Sequence, residues 1–382
     1  MAFAGMGAQA AVVPAVLPVW SQRAGDGVLA AVPAMFAGLV VGVLTSVPLL
    51  ARLGTGRVLR GSAAAQALAL VGLAAVGRGM TAGSVRVAVV VAAAAGVAFG
   101  VTESATSLAA RTAAGTDRRL GRLLAISAAT AAVLPVLVFA ATRVGGAEAA
   151  LLVAAAAPLL VALRPAVPAP ASPGRARAVR TPGVARILVP AGIALALYVG
   201  VETVLSGWSA VLTHDLLGAD PALAALGASA FWLLMSAGRA WGSRTRGGMT
   251  ARALLAAGLF ALAAGGGRVP AGVAGACAAT VLVIAPAYPR LLGAALDRLD
   301  GPSAARWTGP LVAAGASGGS LLPALVLRLG SPSDAATFVS AAVACLALAL
   351  VARPLAAPLT SPSPPPCHEQ APPAGGEWDP EA

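Results

Sequence analysis

The sequence predicts an all-α membrane protein of twelve transmembrane helices in two six-helix halves, and three observations carry that prediction. The chain is 58% hydrophobic and only 10% charged over 382 residues, with a mean hydropathy of +0.86, whereas water-soluble domains carry about 25% charged residues. Twelve apolar stretches follow one another between the charges, most of them near the roughly 20 residues that a helix needs to cross hydrocarbon. The longest interior connection, 164–186, divides those stretches six and six.

The stretches run 1–22, 27–51, 61–77, 87–110, 123–142, 149–163, 187–213, 221–238, 253–267, 269–289, 307–327 and 335–352. Those at 149–163 and 253–267 are short, and they span only if Arg164 and Arg252 extend their apolar stems along the helix and leave the charge at the interface. Residues 164–186, RPAVPAPASPGRARAVRTPGVAR, are rich in Pro and Arg without an apolar period, which marks a linker. The predicted units are therefore a first half at 1–163, the linker, and a second half at 187–353. The Pro-rich, acidic-ended segment 354–382 is too polar to pack and is expected to be disordered. Pro286 and Pro289 should bend or end the tenth span, because proline cannot continue the helical hydrogen-bond ladder.

The net charge of +12 suggests nucleic acid, but its placement rejects that partner. All 26 basic residues are Arg. Twenty fall in the loops after even-numbered spans and in the tail, and six fall on the other side. That asymmetry is the positive-inside rule, and it puts both termini in the cytoplasm of a cell in whose plasma membrane the chain resides as a multi-pass protein. Three cysteines, two inside spans, form no disulfide or metal framework. No paired histidines and no phosphate-cradling loop with Lys are present, so neither an enzyme nor a cofactor is expected.

Only two carboxylates fall inside the apolar stretches, Glu103 and Glu202. A carboxylate at mid-depth costs about 2.5–3.5 kcal/mol even on lenient insertion scales, so both should face a polar site between the halves. Glu202 shares a helical stripe with Tyr198 and Ser206, four residues to either side, and Trp208 adds an apolar platform. These four are candidate substrate contacts. Burial disfavours the charged form of a carboxylic acid, which suits Glu103 to carrying a proton.

Several motifs resemble the major facilitator superfamily of transporters, and within it the fucose permease-like family of sugar–proton symporters. Span 4 reads GVAFGVTESATSLAAR (96–111), span 7 LYVGVETVLSGWSAVL (197–212), and span 8 FWLLMSAGRAWGSR (231–244). Spans 10 and 11 carry APAYPRLLG (285–293) and GASGGSLLP (315–323). The resemblance implies that Glu103 is the coupling or sugar-binding carboxylate and that Ser107, standing where the family has Asn, contacts solute. The loop after span 2, VPLLARLGTGRVLR (47–60), is similar to the superfamily's basic loop, although Val47 and Ala51 replace its Gly and Asp. That likeness makes Arg52, Arg57 and Arg60 candidate gating residues, with Arg239 at the end of span 8 another. Span 1, GAQAAVVPAVLPVW (7–20), lacks the family's carboxylate, and Gln9, its one strongly polar residue, is the candidate contact there.

The expectation is a monomeric secondary transporter of a small solute, coupled to protons, whose halves rock around a central site. Sugar-like uptake and proton-driven efflux of an amphiphilic compound both remain open, as does a membrane sensor or scaffold that moves nothing. The fifth span lacks the Gly-Pro pattern of exporting antiporters, which favours uptake.

Overall fold

The computed structural model describes residues 1–111, 116–144, 146–164, 184–244, 248–266, 269–299 and 301–356. Regular structure among them is entirely helical. In chain order the helices are α1 Ala2–Ala24, α2 Ala31–Leu53, α3 Thr55–Arg78, α4 Val85–Arg111, α5 Thr116–Val144, α6 Glu148–Leu163, α7 Val184–Gly207 and α8 Ser209–Leu217. They continue with α9 Pro221–Ala224, α10 Leu226–Arg244, α11 Met249–Gly265, α12 Pro270–Ile284, α13 Ala287–Leu296, α14 Gly301–Leu329, α15 Ala335–Val351 and α16 Arg353–Ala356.

Nine helical stretches among the described residues are long and apolar enough to cross a membrane. Three further apolar helices, α6, α11 and α15, are 16, 17 and 17 residues long. The chain is a multi-pass integral membrane protein. Three of the predicted spans prove to be broken. The stretch 187–213 is divided into α7 and α8 at Trp208, 221–238 into α9 and α10 at Ala225, and 269–289 into α12 and α13 at Ala285 and Pro286. Others lengthen past their apolar limits, 123–142 becoming Thr116–Val144, because a helix runs on into polar surroundings wherever its hydrogen bonds are satisfied. Residues 165–183 of the expected linker and 357–382 of the expected tail lie outside the described residues.

α1 to α6 pack chiefly on one another, as do α7 to α15. Small residues permit this in lipid, where helices gain no hydrophobic force from meeting. Along the α2–α4 seam, a Cβ added to Gly38 or Gly42 would collide with the backbone of Ala93 and Val97, and one added to Gly96 or Gly100 with that of Met35 and Leu39. The two helices thus touch backbone to backbone. A single residue, Gly54 with φ 76°, turns the chain from α2 into α3, a conformation that glycine adopts without steric cost.

The connections gather at two ends of the bundle. At the far end, Arg23 reaches both the Gly77 carbonyl and Glu148, and Asp26 lies beside Gly330 to Pro332. At the near end, which also holds Met1, Arg298 donates to the Leu355 carbonyl. The two helix groups meet toward the far end. Gly207 faces Val32, Gly319 faces Phe36, Ser229 donates to the Ala132 carbonyl at 2.6 Å, and Arg143 pairs with Asp220 at 2.9 Å.

Candidate functional site

Glu103 lies on α4, past its middle on the way to the near end. Its helix is held against α3. Thr102 donates to the Ser62 hydroxyl of α3 at 2.9 Å, while Val101 and Ala105 bury themselves against Val58. Ser104 and Thr106 turn their hydroxyls back onto the carbonyls of Gly100 and Thr102, so neither competes for the carboxylate. Glu103 itself is half-buried and makes no side-chain hydrogen bond among the described residues.

Glu202 comes from the other helix group. Counting α7 and α8 as one interrupted crossing, it stands near the middle of Val184–Leu217. Its side chain retains 16% exposure, and Oε1 lies 3.8 Å from Nη2 of Arg239, whose own side chain retains 40%. That separation makes an ion pair but is too long for a hydrogen bond. Arg239 sits more than a turn inside α10, which continues to Arg244. The expected position at the end of its span is therefore corrected. Its apolar run had seemed to stop at the first charge, whereas that charge is paired and the helix continues beyond it.

Tyr198 is fully buried one turn before Glu202 and lies within electrostatic reach of both Glu202 and Arg239. Its hydroxyl, like Nε of Arg239, is buried without a hydrogen-bond partner. Two donors beside a carboxylate, none of them satisfied within the protein, leave hydrogen-bonding capacity for a bound molecule.

The residue that joins the two carboxylates escaped sequence reasoning. Tyr288, in the first turn of α13, stacks obliquely on Tyr198, with ring centroids 6.0 Å apart and planes inclined by 43°. It is within electrostatic reach of Glu103, Glu202 and Arg239 together. These groups of α4, α7, α10 and α13 come from both helix groups, whose contacts described above lie toward the far end. The signals available in the sequence were Pro286, which marks the break two residues before it, and the motif APAYPRLLG that contains it.

The remaining candidates are dispersed. Gln9 is fully buried in α1 and gives its amide to the Ala95 carbonyl of α4 at 2.9 Å. Trp208 is fully buried at the α7–α8 break. Ser206 and Ser107 are half-buried. Arg52 and Arg57 are exposed on either side of Gly54, and Arg60 is half-buried, with an Nε that has no partner. A third buried carboxylate lies far from these groups. Glu148, the first residue of α6 and 4% exposed, pairs with Arg23 at 2.6 Å. It stands one residue before the predicted span, where an acidic side chain reads as loop.

No protein-family model and no curated protein matches the sequence. Solved structures do match in shape. A D-xylose–proton symporter aligns over 91% of this chain and 94% of its own, with a TM-score of 0.71 and 15% identity. The nucleoside transporter NupG aligns over 93% and 98%, with a TM-score of 0.64 and 11% identity. A peptide transporter, POT, aligns over 93% and 94%, with a TM-score of 0.69 and 16% identity. At such identities the likeness speaks for architecture alone, and the architecture of this chain is the major facilitator fold.

Proposed function

We propose that the chain is a proton-coupled secondary transporter of the major facilitator superfamily, fucose permease-like, which takes up a small sugar-like solute by alternating access. The observation that carries this reading is the gathering of polar groups from both helix groups around Tyr288, which we read as one cleft between them. One helix group contributes Glu103, and the other contributes the loose Glu202–Arg239 pair with Tyr198. A solute hydroxyl accepts from the unsatisfied Tyr198 hydroxyl or Arg239 Nε and donates to Glu202 at once, which neither an ammonium nor a carboxylate does. Ser206 and Ser107 add hydroxyls to the wall, with Trp208 and Gln9 behind it. The likeness to a D-xylose–proton symporter agrees with this chemistry.

In this reading residues 1–163 and 187–353 are the two rocking halves, 164–186 and 354–382 are cytoplasmic, and the near end faces the cytoplasm of a plasma-membrane monomer. Arg52, Arg57 and Arg60 close the near end, and Arg239 couples that closure to Glu202. Glu103, which pairs with no cation among the described residues, takes up and releases the proton as the site turns from one side to the other.

The test is Glu103→Gln in proteoliposomes, with radiolabelled pentoses and hexoses as probes. Accumulation driven by a pH gradient should vanish, while exchange between equal pools of sugar survives, since exchange moves no net proton. A variant that still concentrates sugar defeats the proton role, and wild-type protein that moves none of the probes defeats the sugar reading.

A further inference from the structure

A cavity of about 400 Å³ lies at the far end, across the boundary between the two helix groups. The first group contributes Asp26, Leu29 and Ala30, from the short 3-10 helix Asp26–Ala30 that links α1 to α2. The second contributes Leu327 of α14, with Ser331 and Pro332 of the loop that follows. Cavities of about 300–1,000 Å³ are the size that holds a small molecule. None of the groups around Glu103 and Glu202 lines this one.

Its walls differ in chemistry. Leu29 and Pro332 are buried, whereas Asp26 is exposed, so the interior is apolar and the carboxylate stands at the mouth. The loop wall is fixed, and its polar groups are already used. The Ser331 amide donates to Oδ2 of Asp334 at 2.6 Å, its carbonyl accepts from the Thr337 hydroxyl at 2.8 Å, and its hydroxyl is bonded to that of Ser333 at 3.1 Å. Ser333 in turn donates to Asp215 of α8 at 2.9 Å. Asp26 is different. Its carboxylate has no hydrogen bond and no ion pair among the described residues, although Arg328 follows Leu327 in the chain.

We propose that this cavity binds a small organic cation, an ammonium with an apolar body, and that the bound cation holds the far end shut. The ammonium donates to Asp26 in a charge-assisted hydrogen bond, and the apolar body is buried between Leu29 and Pro332. A polyol would leave most of its hydroxyls against apolar carbon, which is costly. A metal ion needs several oxygen ligands, where one uncommitted carboxylate is on offer. Because the walls belong to different helix groups, parting them at the far end dismantles the site. The cation therefore prefers the closed arrangement, and by linkage it favours that arrangement when bound. The site is separate from the proposed solute cleft. Its effect on the far end rests on the alternating-access reading, whereas the binding does not.

The probes are phenethylammonium and its uncharged counterpart phenethyl alcohol, added to the purified full-length protein. Calorimetry should show saturable binding of the cation and none of the alcohol. Asp26→Asn, a change at an exposed residue that keeps the size of the side chain, should abolish that binding, while Glu103→Gln and Glu202→Gln should leave it intact. A cysteine placed at Ser229, in the far-end contact between the groups, reports the coupling through its labelling by a maleimide, followed by mass spectrometry of the peptide. At about ten times its Kd the cation should slow labelling about tenfold, as a ligand of one state does, and should have no effect in the Asp26→Asn protein. Absent binding, equal binding of the alcohol, binding that survives Asp26→Asn, or binding that either glutamate substitution removes overturns the proposed site. Binding that depends on Asp26 but leaves the labelling rate unchanged upholds the site and overturns the alternating-access reading at the far end.

Discussion

Arg143 and Asp220 join the two helix groups across the far end, Nη2 to Oδ2 at 2.9 Å. Asp220 does two things at once. Its Oδ1 caps α9 by accepting from the amides of Ala222 and Leu223, and its Oδ2 holds the arginine. Both side chains are about half exposed, at 56% and 48%, and exposed pairs of this kind contribute about 0.2–1 kcal/mol.

Asp220→Asn keeps an oxygen for the cap and removes the charge. It should shift the balance toward the state open at the far end by at most about fivefold, the equivalent of 1 kcal/mol. A cysteine placed at Ser229, whose hydroxyl now meets Ala132, reports this through its labelling rate with a membrane-impermeant maleimide. Equal rates with and without the Asp220 substitution would show that the pair does not hold the halves together.

The Glu202–Arg239 pair should be strongly non-additive. Glu202→Gln leaves a guanidinium unpaired at mid-depth, and Arg239→Gln leaves a carboxylate, whereas the double variant leaves neither. Arg239 keeps 40% exposure, so each single change should cost about 1 kcal/mol of stability, and the double change less than their sum. Affinity for the proposed solute should fall about tenfold in both single variants, as expected for loss of a hydrogen bond to a charged group. Thermal unfolding in detergent and counterflow kinetics measure the two effects separately, and additive losses would contradict the pairing.

At the far end of the first helix group, Arg23, Gly77, Trp20 and Glu148 form a clasp. A Cβ at residue 77 would approach Cζ2 of Trp20 to 2.8 Å and Cγ of Glu148 to 3.0 Å. Gly77→Ala should therefore destabilise by roughly 1–3 kcal/mol, as overpacking does. Glu148→Gln should cost about 2 kcal/mol, less than a fully buried pair because Arg23 keeps 40% exposure. Neither change touches the cleft, so solute affinity per folded molecule should stay unchanged. A change in affinity at full stability would give this clasp a different role.

Orientation is tested by reporter fusions. Fusions after residues 180 and 218 should report opposite sides of the membrane, with 218 outside, as the arginine asymmetry predicts. Identical signals from both positions would exclude that topology.

The sequence revealed much of the fold because lipid leaves the chain few choices. Apolar length located the crossings, and Pro286 announced the α12–α13 break. It was silent about the break at Trp208, where no proline or positive φ marks the place, and about α10 continuing beyond Arg239. The two cleft carboxylates were legible because charge within apolar sequence is conspicuous. Tyr288 was not, since a tyrosine near a helix end reads equally well as an interfacial anchor. Glu148 was missed for the opposite reason. It is buried only because Arg23, 125 residues away, comes to meet it, and a single sequence does not display such a pairing.

The backbone-to-backbone seam between α2 and α4 turns these two crossings into a seesaw. Side chains between helices act as springs that absorb small displacements by changing rotamer, and at these four glycines there are none to yield. α2 bears on the opposite group through Val32 and Phe36 on one arm, and α4 carries Glu103 on the other. Any displacement of α2 at the first arm should therefore carry α4, and Glu103 with it, as one body. A bulkier residue at Gly38, Gly42, Gly96 or Gly100 would not merely loosen this board but lift it off its fulcrum.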